Sequence, residues 1–134
     1  MGFGDKMKDI HVTCIVSAGE DVTHIDTLGE FKNNRIIFQD EDGESHYIVI
    51  QKDVVKYIKK GSVDMRYELR ENLLTKGSYA TLGNRFNFEI KTLSLIRNKG
   101  KIIIKYQLLQ ERQVVNEATI DVTYNEVKED TNAK

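Results

Sequence analysis

The sequence predicts an all-β protein: a single closed up-and-down antiparallel β-barrel of eight to ten strands. Three observations carry this. Apolar and polar residues alternate over long stretches, as in Phe86, Phe88 and Ile90 against Asn87, Glu89 and Lys91. A period of two means strands with one buried and one solvated face. Turn residues recur at intervals of about ten residues, the spacing of all-β sandwiches and barrels. No proline occurs in 134 residues, which suits a chain with few positions outside a hydrogen-bonded ladder.

The first strand is predicted from Met7 to Ser17, with Ile10, Val12, Cys14 and Val16 on one face. Ala18 to Asp21 turns the chain. Val22 to Leu28 is an irregular strand, because Val22 and Leu28 share one parity and Ile25 takes the other; Thr27 to Lys32 is compatible with a short helical turn. Arg35 to Gln39 and Tyr47 to Gln51 flank Asp42-Gly43, a hairpin signal because both turn residues need positive φ. Val54 to Ile58 and Val63 to Leu69 follow, separated by Lys60-Gly61. Glu71-Asn72 leads to Leu73 to Tyr79, and Gly83-Asn84 to the Phe86 strand. Asn98-Lys99-Gly100 opens the strand carrying Ile102, Ile104, Tyr106 and Leu108. Gln110 to Gln113 returns the chain into Val114 to Tyr124. The core spans about residues 8–126 of one 1–134 domain, with frayed termini. Tight connections favour a meander over Greek-key crossings, and closing a meander removes its two edges.

Composition narrows the function classes. The hydrophobic share of 40% and the charged share of 31% fit a globule with a real core. A net charge of −1 gives no overall field toward nucleic acid or an anionic membrane. One cysteine, Cys14, excludes a disulfide framework and a cysteine-rich zinc site. No apolar run approaches ~20 residues, and no signal peptide is visible, so a cytoplasmic location and no membrane partner are expected.

Three segments carry a family likeness. Lys60-Gly61-Ser62-Val63-Asp64-Met65 has a basic-Gly-x-Val-x-Met pattern; Gly100 to Leu108 has Gly-x-Ile-x-Ile-x-Tyr-x-Leu; Asn116 precedes Ile120, Val122 and Tyr124. These resemble the YwiB-like family of small uncharacterised bacterial proteins with a lipocalin-like, calycin-type barrel, over about Ile10 to Glu126. Where that family shows Thr-Pro-aromatic-Gly, this chain has Thr81-Leu82-Gly83-Asn84. Asn84 stands at the glycine position, where Asn tolerates a left-handed backbone. The resemblance implies a fold and transfers no activity. Lipocalin-like barrels often hold small hydrophobic ligands, an analogy at the level of fold.

The candidates for chemistry are few. His11, His24 and His46 form no metal-ligand spacing and read as surface or strand-edge residues. Asp40 to Glu44 lacks the calcium-loop spacing and reads as a solvated hairpin tip. Lys56, Lys59, Lys60, Arg66 and Arg70 sit near one hairpin, and Asp64 and Glu68 interleave with the arginines on the same outward face, as on a soluble sheet. Cys14 has inward parity and reads as an inert core thiol. Tyr67, Tyr106, Tyr124 and Thr92 also face inward. They would place polar points in an apolar lumen, as ligand pockets do, or else lie near a barrel end with hydroxyls in water.

The reading is therefore a barrel binding a small apolar or amphipathic ligand, with Met65, Tyr67, Phe88, Thr92, Tyr106 and Tyr124 as lumen candidates. The alternative is a solid barrel that meets a protein partner or a second copy, with Ile103 and Leu109 as candidates for the interaction face. An enzyme has least support; its sign would be a mouth where His46 and tyrosines converge. No catalytic residue, metal ligand, cofactor or nucleic-acid partner is expected.

Overall fold

The computed structural model of the protein describes residues 7–127. Among them lie β1 (Lys8–Ala18), β2 (Asp21–Lys32), β3 (Arg35–Gln39), β4 (Ser45–Ile50) and β5 (Val55–Lys60), then β6 (Val63–Leu69), β7 (Leu74–Thr81), β8 (Asn84–Asn98), β9 (Lys101–Gln110) and β10 (Gln113–Glu126). Each strand pairs antiparallel with the next, and β10 closes on β1 from Ile10↔Glu126 to Ala18↔Ala118. The closed meander is thus the observed architecture. The predicted frayed termini, residues 1–6 and 128–134, lie outside the described residues.

Alternating direction sorts the connections into two groups. Turns after the odd-numbered strands gather at one rim, here called the hairpin end. Turns after the even-numbered strands gather at the other rim with both ends of the barrel sheet. Inward side chains form one apolar cluster, with Val12, Cys14, Ile36, Val55, Leu69, Ile90 and Val122 fully buried.

One inward row runs in register through Ile36, Ile48, Tyr57, Tyr67, Gly77 and Phe88. Gly77 makes room for the ring beside it. A Cβ there would lie 2.6 Å from Phe88 Cε2 and 2.8 Å from Ile90 Cδ1. Phe88 then meets Tyr67 edge-on, at 5.5 Å and 88°, a favoured aromatic geometry.

Two bulges change which side chains face inward. The register shifts at Leu93 on β8 and at Val115 on β10. Beyond Leu93, Leu95 and Arg97 pair with the inward Ile104 and Ile102. Arg97 then reaches across the rim opposite the hairpin end and donates to the carbonyls of Gln51 and Lys52, the latter at 2.6 Å.

Several local expectations are corrected. Residues 27–32 form no helical turn; they continue β2, whose backbone is paired with both β1 and β3 around Gly29. In β2 the inward parity belongs to Ile25, while Val22 and Leu28 are 65% and 68% exposed. Asp42-Gly43 is not a two-residue turn: only Gly43 has positive φ, and the loop is widened by Asp40, which accepts hydrogen bonds from the Asp42 and Glu44 amides. Asn84 is not left-handed; Leu82 and Gly83 carry the positive φ values, 47° and 81°. Thr81 and Asn84 pair across this turn, so the two residues between them, Leu82 and Gly83, take the left-handed backbone that a type I′ hairpin needs at both positions.

Two stability predictions follow from these positions. Leu82→Asn relieves a left-handed leucine and should raise stability by about 0.5–1 kcal/mol in urea denaturation. Gly77→Ala should cost about 1–3 kcal/mol by overpacking, and adding Phe88→Leu should recover part of that loss. A strictly additive double variant would mean that the Gly77–Phe88 contact is not the cause.

Candidate functional site

Three inward positions converge at the hairpin end. The alternation of β4 that buries Ile48 also turns His46 inward, where it is 2% exposed. Tyr57 on β5, 4% exposed, pairs across the ladder with Ile48. Asp40 stands at the foot of the β3–β4 loop. Tyr57 donates its hydroxyl to His46 Nδ1 at 2.7 Å, and His46 Nε2–H donates to Asp40 Oδ2 at 2.9 Å. This tautomer is assigned because a carboxylate only accepts and the remaining ring nitrogen must then accept from the phenol. Phe38 stacks on the imidazole with ring centroids 4.8 Å apart.

The electrostatics suit a neutral imidazole. Burial pushes His46 below the ordinary histidine value, and the hydrogen bond and charge of Asp40 do not overcome it. For Asp40, burial pushes up, but the hydrogen bonds from His46, Glu44 and Asp42 together hold its carboxyl below the usual range. Burial first, then the nearby Cys14, Tyr106, Tyr67 and Asp40, keep the Tyr57 phenol protonated. A carboxylate, an imidazole and a hydroxyl in this order resemble a base-activated nucleophile. Here the hydroxyl is sealed in the core, and the chain of bonds fastens the β3–β4 loop to the barrel instead.

Beside this relay lies a more open rim. Lys59 shares the inward parity of Tyr57 and stands 3.9 Å from Glu44 Oε1. Ser62 donates to Glu44 Oε2 at 3.3 Å. A Cβ on Gly61 would lie 2.6 Å from Glu44 Cγ, so the glycine lets this side chain fold inward. The ladder continues from His46 through Lys59, Met65 and Tyr79 to Phe86. A polar arc on β4 and β5 thus faces an apolar and aromatic arc on β6, β7 and β8.

The lumen candidates separate into groups. Met65, Tyr67 and Phe88 belong to the aromatic arc and are half-buried. Thr92 and Tyr106 are paired with each other midway along the barrel and buried; the Thr92 hydroxyl has no hydrogen-bond partner. Tyr124 stacks on Phe31 at 5.8 Å, toward the opposite rim. Tyr67 touches Tyr57, Phe88 and Tyr106 edge-on. Burial, with Tyr79 adding to it, raises the Tyr67 phenol to about 12. Cys14 is a buried free thiol raised to about 12 by burial and then by Asp121.

The surface reading of His46 is therefore corrected: it is a core residue, and Asp40 at the loop's foot is its partner. Parity with Ile48 was the available signal for His46, and parity with Val55 the signal for Tyr57. His11 and His24 are exposed. Ile103 and Leu109 are half-buried on the outer wall of β9, opposite Asp121 and Val114 on β10. Among the described residues, no group of three or more His, Cys, Asp or Glu is placed to hold a metal ion. No helix is long and apolar enough to cross a membrane.

The relay makes stability depend on pH. His46 is depressed in the folded state, so the unfolded chain binds more protons and stability falls on acidification. The contribution of His46 is complete above its ordinary value of 6.5 and fades as pH drops through its lowered value. That of Asp40 fades in turn below 3.8. Thermal melts from pH 8 to 3 should show both losses. His46→Gln should flatten the first and leave a slope at lower pH; an unchanged profile would remove His46 as the cause.

Comparisons with known proteins agree with the fold. The crystal structure of the ywiB protein from Bacillus subtilis matches with a TM-score of 0.66, covering 95% of this chain and 100% of that one at 17% identity. At that identity the likeness concerns the fold alone. No curated protein matches. A family model described as a domain of unknown function, DUF1934, matches residues 10–132, and the chain belongs to that family.

Proposed function

We propose that the barrel binds a small amphipathic molecule at its hairpin-end mouth, between the polar arc of Glu44 and Lys59 and the aromatic arc of Met65, Tyr67, Tyr79, Phe86 and Phe88. One observation carries this reading. Inward side chains along the middle of β1, β9 and β10, such as Val12, Cys14, Ile104 and Val122, are closed to solvent and those nearer the hairpin end, Val16, Ala18 and Leu108, are half-buried, whereas on the first half of β8 the inward Phe86 is exposed and on that of β6 Val63 and Met65 are half-buried. Phe86 has inward parity and is still 49% exposed. A ten-stranded barrel is wider than an eight-stranded one. Ligand sites combine such apolar lining with a few polar points.

The reading narrows the lumen candidates to Met65, Tyr67 and Phe88. Thr92 and Tyr106 form the floor behind them, and Tyr124 belongs to the other end. Binding without chemistry fits the sealed relay, and the free thiol of Cys14 fits the cytoplasm. A second reading is a protein interface on the outer wall of β8–β10. It is favoured by the exposed Ile96 beside Ile103 and the exposed Val114 beside Leu109.

The two readings part in a dye titration. Anilinonaphthalene sulfonate should bind at one saturable site, with Phe86→Ser weakening it about tenfold and Ile103→Thr leaving it unchanged. Native mass spectrometry of gently purified protein would report a co-purified molecule directly. Absence of saturable dye binding, or dye lost only with Ile103→Thr, would sink the mouth as a site.

A further inference from the structure

We propose that a second copy of this chain pairs with the open edge of β2, antiparallel about Ile25, to form a two-fold dimer. The edge arises from unequal strand lengths. β2 pairs with β1 from Asp21 to Phe31, but with β3 only from Gly29 to Lys32. Among the described residues, no strand pairs with residues 21–28 on that side.

The tight turns at both ends of β2 fix the hydrogen-bonding phase of this edge. Ala18 and Asp21 close a two-residue turn, so they form a hydrogen-bonded pair. The odd-numbered positions of β2 therefore bond to β1. Lys32 and Arg35 close another two-residue turn, so the even-numbered positions direct their N–H and C=O groups to the other side. At Val22, His24, Asp26 and Leu28 these groups point along the open edge. Such an edge is ordinarily blunted by lysine, proline or a bulge; residues 21–28 have neither residue, and the β1–β2 register runs through them without a shift.

The segment is complementary to itself. Antiparallel pairing about Ile25 sets Val22 opposite Leu28 of the second copy, Thr23 opposite Thr27, and His24 opposite Asp26. Apolar pairs, threonine–threonine pairs and a histidine hydrogen-bonded to a carboxylate are each favourable cross-strand partners. The even positions that exchange hydrogen bonds include Val22 and Leu28, the two large, strongly exposed apolar residues of this strand. The odd positions keep Ile25 in the barrel core. His11 on β1 already faces Asp26 Oδ1 at 2.5 Å, leaving Oδ2 for His24 of the second copy.

Room exists where the second copy's turn must enter. A groove of about 670 Å³ opens where β3 leaves β2, lined by Leu28, Glu30, Ile37, Gln39, Tyr47 and Asp9 among others. With Val22 of the second copy against Leu28, its β1–β2 turn must leave the plane of the ladder and lie in this groove, because Phe38 and Ile37 already pair with Gly29 and Glu30. An isologous interface of this kind uses the same patch on both subunits.

Sedimentation velocity over a concentration series tests this. The expected result is a monomer–dimer equilibrium in the micromolar to sub-millimolar range, as small interfaces give. Val22→Lys or Leu28→Lys should each return the protein to monomer with an unchanged circular dichroism spectrum, because both side chains are exposed. Asp26→Lys should weaken the dimer at least tenfold, and His24→Asp added to it should restore association. A protein that stays monomeric to about 500 μM, or a dimer that survives both lysine variants, overturns the proposal.

Discussion

Closure of the ladder between β1 and β10 is the constraint on which the rest of the molecule depends. It joins residues more than a hundred positions apart, as in Ile10↔Glu126 and Cys14↔Val122. Without it the meander would be an open sheet with two bare edges and a half-formed core. With it, a two-residue alternation becomes an inside and an outside. The cost is entropic, because long-range pairing must be made before its contacts reward it. The fully buried residues around this seam, Val12, Cys14, Ile120 and Val122, offset that cost by burial.

The barrel is not uniform around its circumference. β1, β2, β8, β9 and β10 are long, while β3 to β7 are short. The middle of β1, β9 and β10 forms a wall that excludes water, with Val12, Cys14, Ile104, Ile120 and Val122 closed to solvent. The short strands, together with the first half of β8, carry aromatic residues in register, a glycine that seats Phe88, and a rim where inward side chains still reach solvent. The same inequality leaves part of β2 without a second neighbour.

Polar groups inside the barrel must find partners, since an unpaired buried donor or acceptor is costly. Tyr57, His46 and Asp40 solve this together, each giving or accepting what the next one lacks. The solution ties the β3–β4 loop to the wall and sets the imidazole neutral. Arg97 does comparable work at the far rim, where its guanidinium meets carbonyls of the β4–β5 connection.

Strand alternation, turn chemistry and the lack of proline were enough to determine the closed meander, because period and spacing are local properties of the chain. Parity placed Cys14, Tyr67, Phe88, Thr92 and Tyr106 inward for the same reason. The partners of His46 were not legible, since Asp40 and Tyr57 reach it only once a loop folds back and a neighbouring strand aligns. Nor was the inward turn of Arg97, which needs the bulge at Leu93 to change the phase of β8. The irregular reading of Val22 to Leu28 reflected a strand with one neighbour, whose outward apolar residues no local rule explains. Tertiary structure alone decided which inward residues are sealed and which meet water, because that depends on where each strand ends relative to the ones beside it.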